Sequence, residues 1–308
     1  MTNWSQFHPK YPIFFLLLLL LPFLFSCHRE SPPGAKRFEA LITPKGMNRS
    51  LNKVIQQNPN RAKPGTPEEA HVANWLADTF SDYGLDPAGN RQTYYVEYPL
   101  PDNNNHSFGR NVVGQVTWMR TIHGGILVTT IYNRLNTEES QSDSDAVKSS
   151  AGRLAVLLEL VNATAGRPGD TPINFSARSG RPIPEAKNIS TVVELRNGRR
   201  TDDTLRIVAD SIPGRWQPFL DNLSDSVMGV SFHYLGISSS KTPDVKMSIY
   251  LPTKVLCTAT NKNQHQEALE NLAHSAQIIR KLLYRLAMLQ PAISAPEDST
   301  SFAPRPSN

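Results

Sequence analysis

Three consecutive stretches decide the fold: Gly109–Met119, GRNVVGQVTWM; Gly124–Asn136, GGILVTTIYNRLN; and Lys148–Ala163, KSSAGRLAVLLELVNA. Asn111–Met119 is rich in β-branched residues, and Gly124-Gly125 marks a turn. Ile126–Tyr132 is a short apolar run of the kind that forms a strand buried on both faces. An acidic, Ser-rich stretch, Leu135–Val147, reads as a loop. Ser149 then stands at an expected N-cap, with Leu154, Val156, Leu157, Leu158 and Leu160 following on a helix. Strand, strand, loop and helix in this order are the core of an α/β domain. In such folds the carboxyl end of a buried strand is where chemistry is placed.

The same residues carry a family resemblance. The segment resembles the core of the zinc aminopeptidases of peptidase clan MH, family twenty-eight. There a strand ends in Ala-His-Tyr-Asp-Ser, and the next helix opens with Ala-Asp-Asp-Gly-Ala-Gly before a Leu-Leu-Glu run. Here the first place holds Thr130-Ile131-Tyr132-Asn133-Arg134, and the second holds Lys148-Ser149-Ser150-Ala151-Gly152-Arg153, running on to Leu157-Leu158-Glu159. Ile131 stands where the family has a metal-binding His. Asn133, or Lys148-Ser149, stands where it has a metal-binding Asp. Ala177-Arg178-Ser179 fills the place of the family's Glu-Glu pair, of which the first is the general base and the second a ligand. Ile189–Asn197, ISTVVELRN, resembles the strand Asn-Leu-Glu-Ala-Arg-Gly, so Glu194 is the one ligand position kept, with Arg196 beside it. Ser211–Trp216, SIPGRW, resembles Ser-Pro-Gly-Asn-x-Trp. Tyr250-Leu251-Pro252-Thr253 puts Leu251 where the family has its last His ligand.

The resemblance implies a three-layer α/β/α zinc-exopeptidase fold, phosphorylase/hydrolase-like, with a mixed central sheet over residues 66–289. It also implies a vestigial metal site at Ile131, Asn133, Lys148, Ser149, Glu194 and Leu251. One carboxylate does not hold zinc, because structural sites use four ligands and catalytic sites three plus water. Glu194 is therefore expected in an ion pair with a nearby Arg, with no cofactor bound and no catalytic residue. The stretch YPLPDNNNHSFGRNVVGQV, continued by VTTIYN, is also similar to the lumenal domain of the peptidase-like subunit of GPI transamidase.

Working outward, residues 1–26 read as a signal peptide of lipoprotein type. Lys10 gives a weak positive start, and Ile13–Phe25 is an apolar run too short for a comfortable membrane span. It ends Leu24-Phe25-Ser26-Cys27, similar to the bacterial lipobox, so Cys27 is the expected lipidation site. Acyl chains contribute about 0.8 kcal/mol per buried methylene, enough for stable anchoring when several are attached. The expected location is the cell envelope, lipid-anchored at the outer membrane or the periplasmic face of a bacterial membrane. Residues 27–65 are expected to be a tether and N-terminal segment, with a helix over 37–57 and Glu30–Ala35 as a Pro/Gly spacer.

Thr66-Pro67-Glu68-Glu69 is a helix start with a capping box, and the helix stops at Tyr83-Gly84. Strands are expected at Thr93–Glu97, Ile189–Asn197 and Met228–Leu235, and a short helix at Trp216–Leu223. Gln266–Leu289 is a long amphipathic helix. His106, His265 and His274 read as exposed residues, and His233 as a core or edge histidine. Residues 290–308 read as a disordered tail.

The 308 residues, 39% hydrophobic, suffice for one large core. A net charge of +5 without a Lys/Arg run excludes a nucleic-acid partner by the usual signature. Cys27 and Cys257 fit no redox or zinc-finger spacing, and no Gly-x-Ser-x-Gly elbow is present. Two functional readings remain open. One is a membrane-anchored pseudopeptidase whose former cleft binds a peptide, a protein partner or a small polar ligand. The other is an active zinc aminopeptidase with ligands drawn from His123, Asp143, Asp145, Glu194 and His233. Metal content separates them.

Overall fold

Every side chain of the strand Ile173–Arg178 is buried, and so are all but the last of Gly125–Ile131. Strands buried on both faces can only sit inside a sheet covered from both sides. A computed structural model shows that sheet. It describes residues 42–57, 62–100, 108–116, 125–132, 143–165, 171–180, 189–198, 204–210, 212–226, 230–234, 237–238, 245–253, 256 and 259–289.

In chain order the helices are α1 (Pro44–Gln57), α2 (Pro67–Asp82), α3 (Asp143–Thr164), α4 (Gln217–Ser226) and α5 (Lys262–Leu289). The strands are β1 (Asp86–Pro87), β2 (Tyr95–Pro99), β3 (Phe108–Gln115), β4 (Gly125–Ile131), β5 (Ile173–Arg178), β6 (Ile189–Asn197), β7 (Leu205–Ala209), β8 (Ile212–Pro213), β9 (Val230–Tyr234), β10 (Ile237–Ser238) and β11 (Val245–Leu251). The nine-stranded mixed sheet runs β1-β3-β5-β4-β6-β11-β7-β9, with β2 on β3; β8 and β10 pair separately. Strands β5, β4, β6 and β11 are mutually parallel, and β3 and β7 run against them.

Helix α3 is the hub. Leu154, Leu157, Leu158, Leu160 and Val161 on it are at most 1% exposed, and it packs on β4 and β6, on α1 and on α5. Each such side chain contributes roughly 1.5–3 kcal/mol of apolar burial. The helix begins at Asp143, so Ser149 lies inside it and is not its N-cap, and the expected loop over Leu135–Val147 gives way to helix from 143 onward.

The described residues, from Ile42 onward, fall in one compact unit. Helix α1 falls inside the segment expected as 27–65, and Met47, Leu51 and Val54 on it are buried. On the same helix, Ser50 Oγ donates to Glu159 of α3 at 2.6 Å. Helix α2 starts as its sequence predicts: Thr66 Oγ1 accepts from the Glu69 amide at 3.3 Å, with Pro67 at the first position. The second half of the box differs. Instead of turning back to Thr66, the buried Glu69 carboxylate accepts from the Gly65 amide (2.8 Å) and from the Arg110 amide of β3 (2.7 Å), tying helix to sheet. Strands β7 and β11 were not anticipated. The expected short helix at 216–223 is found as a 3₁₀ turn over Gly214–Trp216 leading into α4. Cys27, the 290–308 tail, His106 and His123 lie outside the described residues. No helix of the described residues is long and apolar enough to cross a membrane.

Candidate functional site

The sheet order places the crevice. The chain goes from β4 to β5 on one side, then crosses to β6 on the other side of β4. Ligands of open α/β sheets bind where the order reverses in this way, at the carboxyl ends of the strands. The strand ends meeting here carry Ile131 on β4, Arg178 on β5, and Glu194 and Arg196 on β6.

Register decides which side chains share a face, because paired residues point the same way and the direction alternates along each strand. Ser176, Thr129, Glu194 and Ser248 form one row across β5, β4, β6 and β11, and the row continues through Val208 to His233. Two residues on, Arg178 pairs with Ile131, and Arg196 pairs with Tyr250. One face of this half-sheet therefore carries Ile131, Arg178, Glu194, Arg196, Ser248 and Tyr250. On the opposite face Val193, Leu195, Met247, Ile249 and Leu251 are at most 1% exposed and belong to the core.

Glu194 is held on both sides. Its Oε1 accepts a short hydrogen bond from Arg178 Nη2. Its Oε2 accepts from Arg196 Nε at 2.8 Å and Nη2 at 2.5 Å. The Arg178 side chain is 7% exposed and that of Glu194 16%, whereas that of Arg196 is 47% exposed, so the first pair is nearly desolvated and the second faces solvent. Arg153, one turn into α3 beyond Ser149, adds a third guanidinium. Burial pushes its pKa down to about 10, and the neighbouring Arg178 and Arg196 push the same way against the attraction of Glu194. Burial likewise lowers Arg178, with Glu194 opposing.

The ion pair expected for Glu194 is thus present, with two arginines in it. Lys148 and Ser149 sit on α3, where Ser149 Oγ lies 3.1 Å from Thr253 Oγ1, just past β11. Gly152 allows this approach: a Cβ there would stand 3.0 Å from Leu256 Cδ1 and 3.3 Å from Thr253 Cγ2. Leu251 does not join Glu194. The pleat turns it into the core, and the β11 residue on the site face is Tyr250, opposite Arg196 in the strand register. Asn133 lies outside the described residues.

Of the alternative zinc ligands, His233 is exposed on β9 and three strands from Glu194 in the same row. At about 4.8 Å per strand the two backbones are about 14 Å apart, too far for side chains bound about 2 Å from one ion. Asp143 and Asp145 lie in the first turn of α3.

Sequence reading missed two features. Arg153 is an arginine inside an otherwise apolar helical run, and that incongruity was its only signal. The other is a polar network behind β4. Tyr132 is fully buried; its hydroxyl donates to Arg110 O at 3.0 Å and lies 3.5 Å from Glu69 Oε1. Burial, with Glu69 beside it, pushes the Tyr132 hydroxyl pKa up, so it stays a donor at physiological pH. Tyr98 Oη meets Ser179 Oγ at 2.7 Å, and the Ser179 amide donates to Asn111 Oδ1 at 3.0 Å.

A zinc ion needs three or four His, Cys, Asp or Glu donors. Among the described residues no group of three or more comes together. Glu194 itself does not fit a ligand here, because both its oxygens are taken. A divalent ion about 4 Å from the Arg178 guanidinium would be repelled by about 8 kcal/mol at an effective dielectric constant near 20.

This mixed α/β fold is similar to that of solved Legionella Lap proteins and of a glutaminyl cyclase. Three solved structures illustrate the likeness. LapB of Legionella pneumophila superposes with a TM-score of 0.50 at 12% identity, covering 83% of this chain and 75% of that one. The LapA aminopeptidase of the same organism gives 0.50 at 12%, covering 82% and 76%. The glutaminyl cyclase of Bacteroides thetaiotaomicron, bound to N-acetylhistamine, gives 0.50 at 10%, covering 79% and 98%. No family model matches the sequence, and no curated protein matches it. Identities of this size establish the shared fold and leave activity to the site.

Proposed function

We propose that this protein is a non-catalytic member of the zinc-exopeptidase fold, held to a membrane of the cell envelope by lipid on Cys27. On this reading it uses the crevice at the ends of β4, β5 and β6 to hold a ligand rather than cut one. The observation that carries it is Glu194. Glu194, the ligand position that the family resemblance keeps, is locked between Arg178 and Arg196, and Ile131, with no lone pair to offer, stands beside Arg178. A site built to hold a divalent cation does not surround its carboxylate with guanidinium groups. The lipid anchor rests on the leader and the LFSC motif.

The test is metal content by mass spectrometry on the full chain purified in mild detergent, incubated with zinc and desalted, alongside aminoacyl-peptide and N-terminal glutaminyl-peptide turnover. Absence of retained zinc and of turnover is expected. One or two tightly held zinc ions per chain with hydrolysis would overturn the reading. For the anchor, mass spectrometry of the N-terminal peptide is expected to show acyl chains on Cys27; an unmodified Cys27 would refute it.

A further inference from the structure

Strand β5 lies inside the sheet with every side chain buried, yet one of its faces is polar. Asn174, Ser176 and Arg178 on that face are 8%, 0% and 6% exposed, against Ile173, Phe175 and Ala177 on the other. On the neighbouring strand β4, Thr129 is also 0% exposed. It stands opposite Ser176 on one side and opposite Glu194 of β6 on the other. The hydroxyls of Ser176 and Thr129 have no hydrogen-bond partner among the described residues, not even each other. A hydroxyl buried in this state costs free energy, and buried polar groups are as a rule satisfied by protein or by ordered water.

The ion pair forms a roof over these two hydroxyls. Arg178 starts on β5 and reaches Glu194 on β6, so its side chain crosses β4 on the face that carries Thr129 and Ile131. The side chains of the pair are 7% and 16% exposed, while Ser176 and Thr129 beneath them are sealed from solvent. Glu194 Oε2 accepts both bonds from Arg196. Its Oε1 accepts one, from Arg178 Nη2, and a carboxylate oxygen has two acceptor sites.

We propose that Ser176, Thr129 and Glu194 bind one internal water beneath the Arg178–Glu194 pair. Residues paired across adjacent strands are about 4.8 Å apart. One water bonding at about 2.8 Å on either side bridges up to about 5.6 Å, which matches that spacing. Buried waters typically make about three hydrogen bonds. Here the water donates to Glu194 Oε1 and to one hydroxyl, and accepts from the other. It satisfies both hydroxyls and holds the inner oxygen of Glu194 on the β5 side, where Arg178 meets it. The crevice then has a closed, hydrated floor beneath the ion pair.

The experiment is a crystal structure of the full chain purified in detergent, at a resolution that shows ordered water. A single density peak within about 2.6–3.2 Å of both Ser176 Oγ and Thr129 Oγ1 is expected. No peak between the two oxygens overturns the proposal, and so does a direct hydrogen bond between them. Thermal unfolding gives a second readout. Thr129→Val and Ser176→Ala are each expected to lower Tm, and the double variant to lower it by less than the sum, because either substitution alone breaks the bridge. If the hydroxyls hold nothing, Thr129→Val removes an unsatisfied group at constant shape and leaves Tm unchanged or raised. That outcome also overturns the proposal.

Discussion

Glu194→Gln is the substitution in which the geometry makes the sharpest demand. It keeps size and hydrogen-bonding capacity and removes the charge. Arg178, 7% exposed, then loses its counter-ion. Breaking a buried pair by removing one partner typically costs 3–5 kcal/mol. Glu194 is 16% exposed, so the low end applies, about 3 kcal/mol. The Arg196 half is worth far less, because that side chain is 47% exposed, and solvent-facing pairs contribute about 0–1 kcal/mol. For a domain of this size 1 kcal/mol moves the melting temperature by roughly 2–4 °C. Glu194→Gln should therefore lower Tm by about 6–12 °C, and Arg196→Gln by no more than about 4 °C. The assay is thermal unfolding followed by circular dichroism, with urea midpoints as a second measure. The double variant Glu194→Leu with Arg178→Met should recover much of the loss, since apolar replacement of a buried pair is often neutral or better. Equal, small shifts for Glu194→Gln and Arg196→Gln would refute the reasoning, because they would mean that neither pair is desolvated.

Three other outcomes can be checked in the same assay. Glu69→Ala removes the acceptor for the Gly65 and Arg110 amides and should cost about 3 kcal/mol; a loss under about 1 kcal/mol would mean the carboxylate does not tie α2 to β3. Tyr132→Phe removes one buried hydrogen bond to Arg110 O and should cost about 1 kcal/mol, with no change in pH dependence near neutrality. Glu159 is 3% exposed, and burial raises its pKa against the pull of the Ser50 hydrogen bond and Arg49. A raised folded-state pKa means that its stability contribution is complete below the ordinary carboxylate value, about 4.3, and is lost as pH rises through the folded value. Glu159→Gln should therefore gain stability relative to the parent as pH rises across that window and hold the gain above it; a difference that shrinks with rising pH would contradict this.

Elements defined by local pattern were legible in the sequence. β4 showed as a short apolar, β-branched run, α5 as an apolar stripe at helical spacing, and α2 through Thr66, Pro67 and Gly84. Misreadings occurred where information is non-local. Ser149 looked like a cap, yet the helix starts at Asp143. Leu251 was placed by family likeness, but which of two neighbouring residues faces a site depends on sheet register, and register put Tyr250 there. The guanidinium cluster draws Arg153, Arg178 and Arg196 from one helix and two strands, and nothing in the local sequence of any one of them announces the other two. The polar face of β11, VKMSIYL, alternates cleanly and could have been read as a half-open strand.

The position of β6 bears on the order in which the chain can assemble. One edge of β6 pairs with β4, made earlier, and the other with β11, whose Ser248 meets Glu194 from 54 residues further along. Until residues 245–251 leave the ribosome, the middle of the sheet has an unpaired edge, a template for wrong pairing. Helix α5, which packs on both α1 and α3, arrives later still. A chain ending before Val245 is thus expected to aggregate rather than fold, and long-range pairing of this kind is slow to form. The strand that carries Glu194 is closed from both sides only once residue 251 has been made.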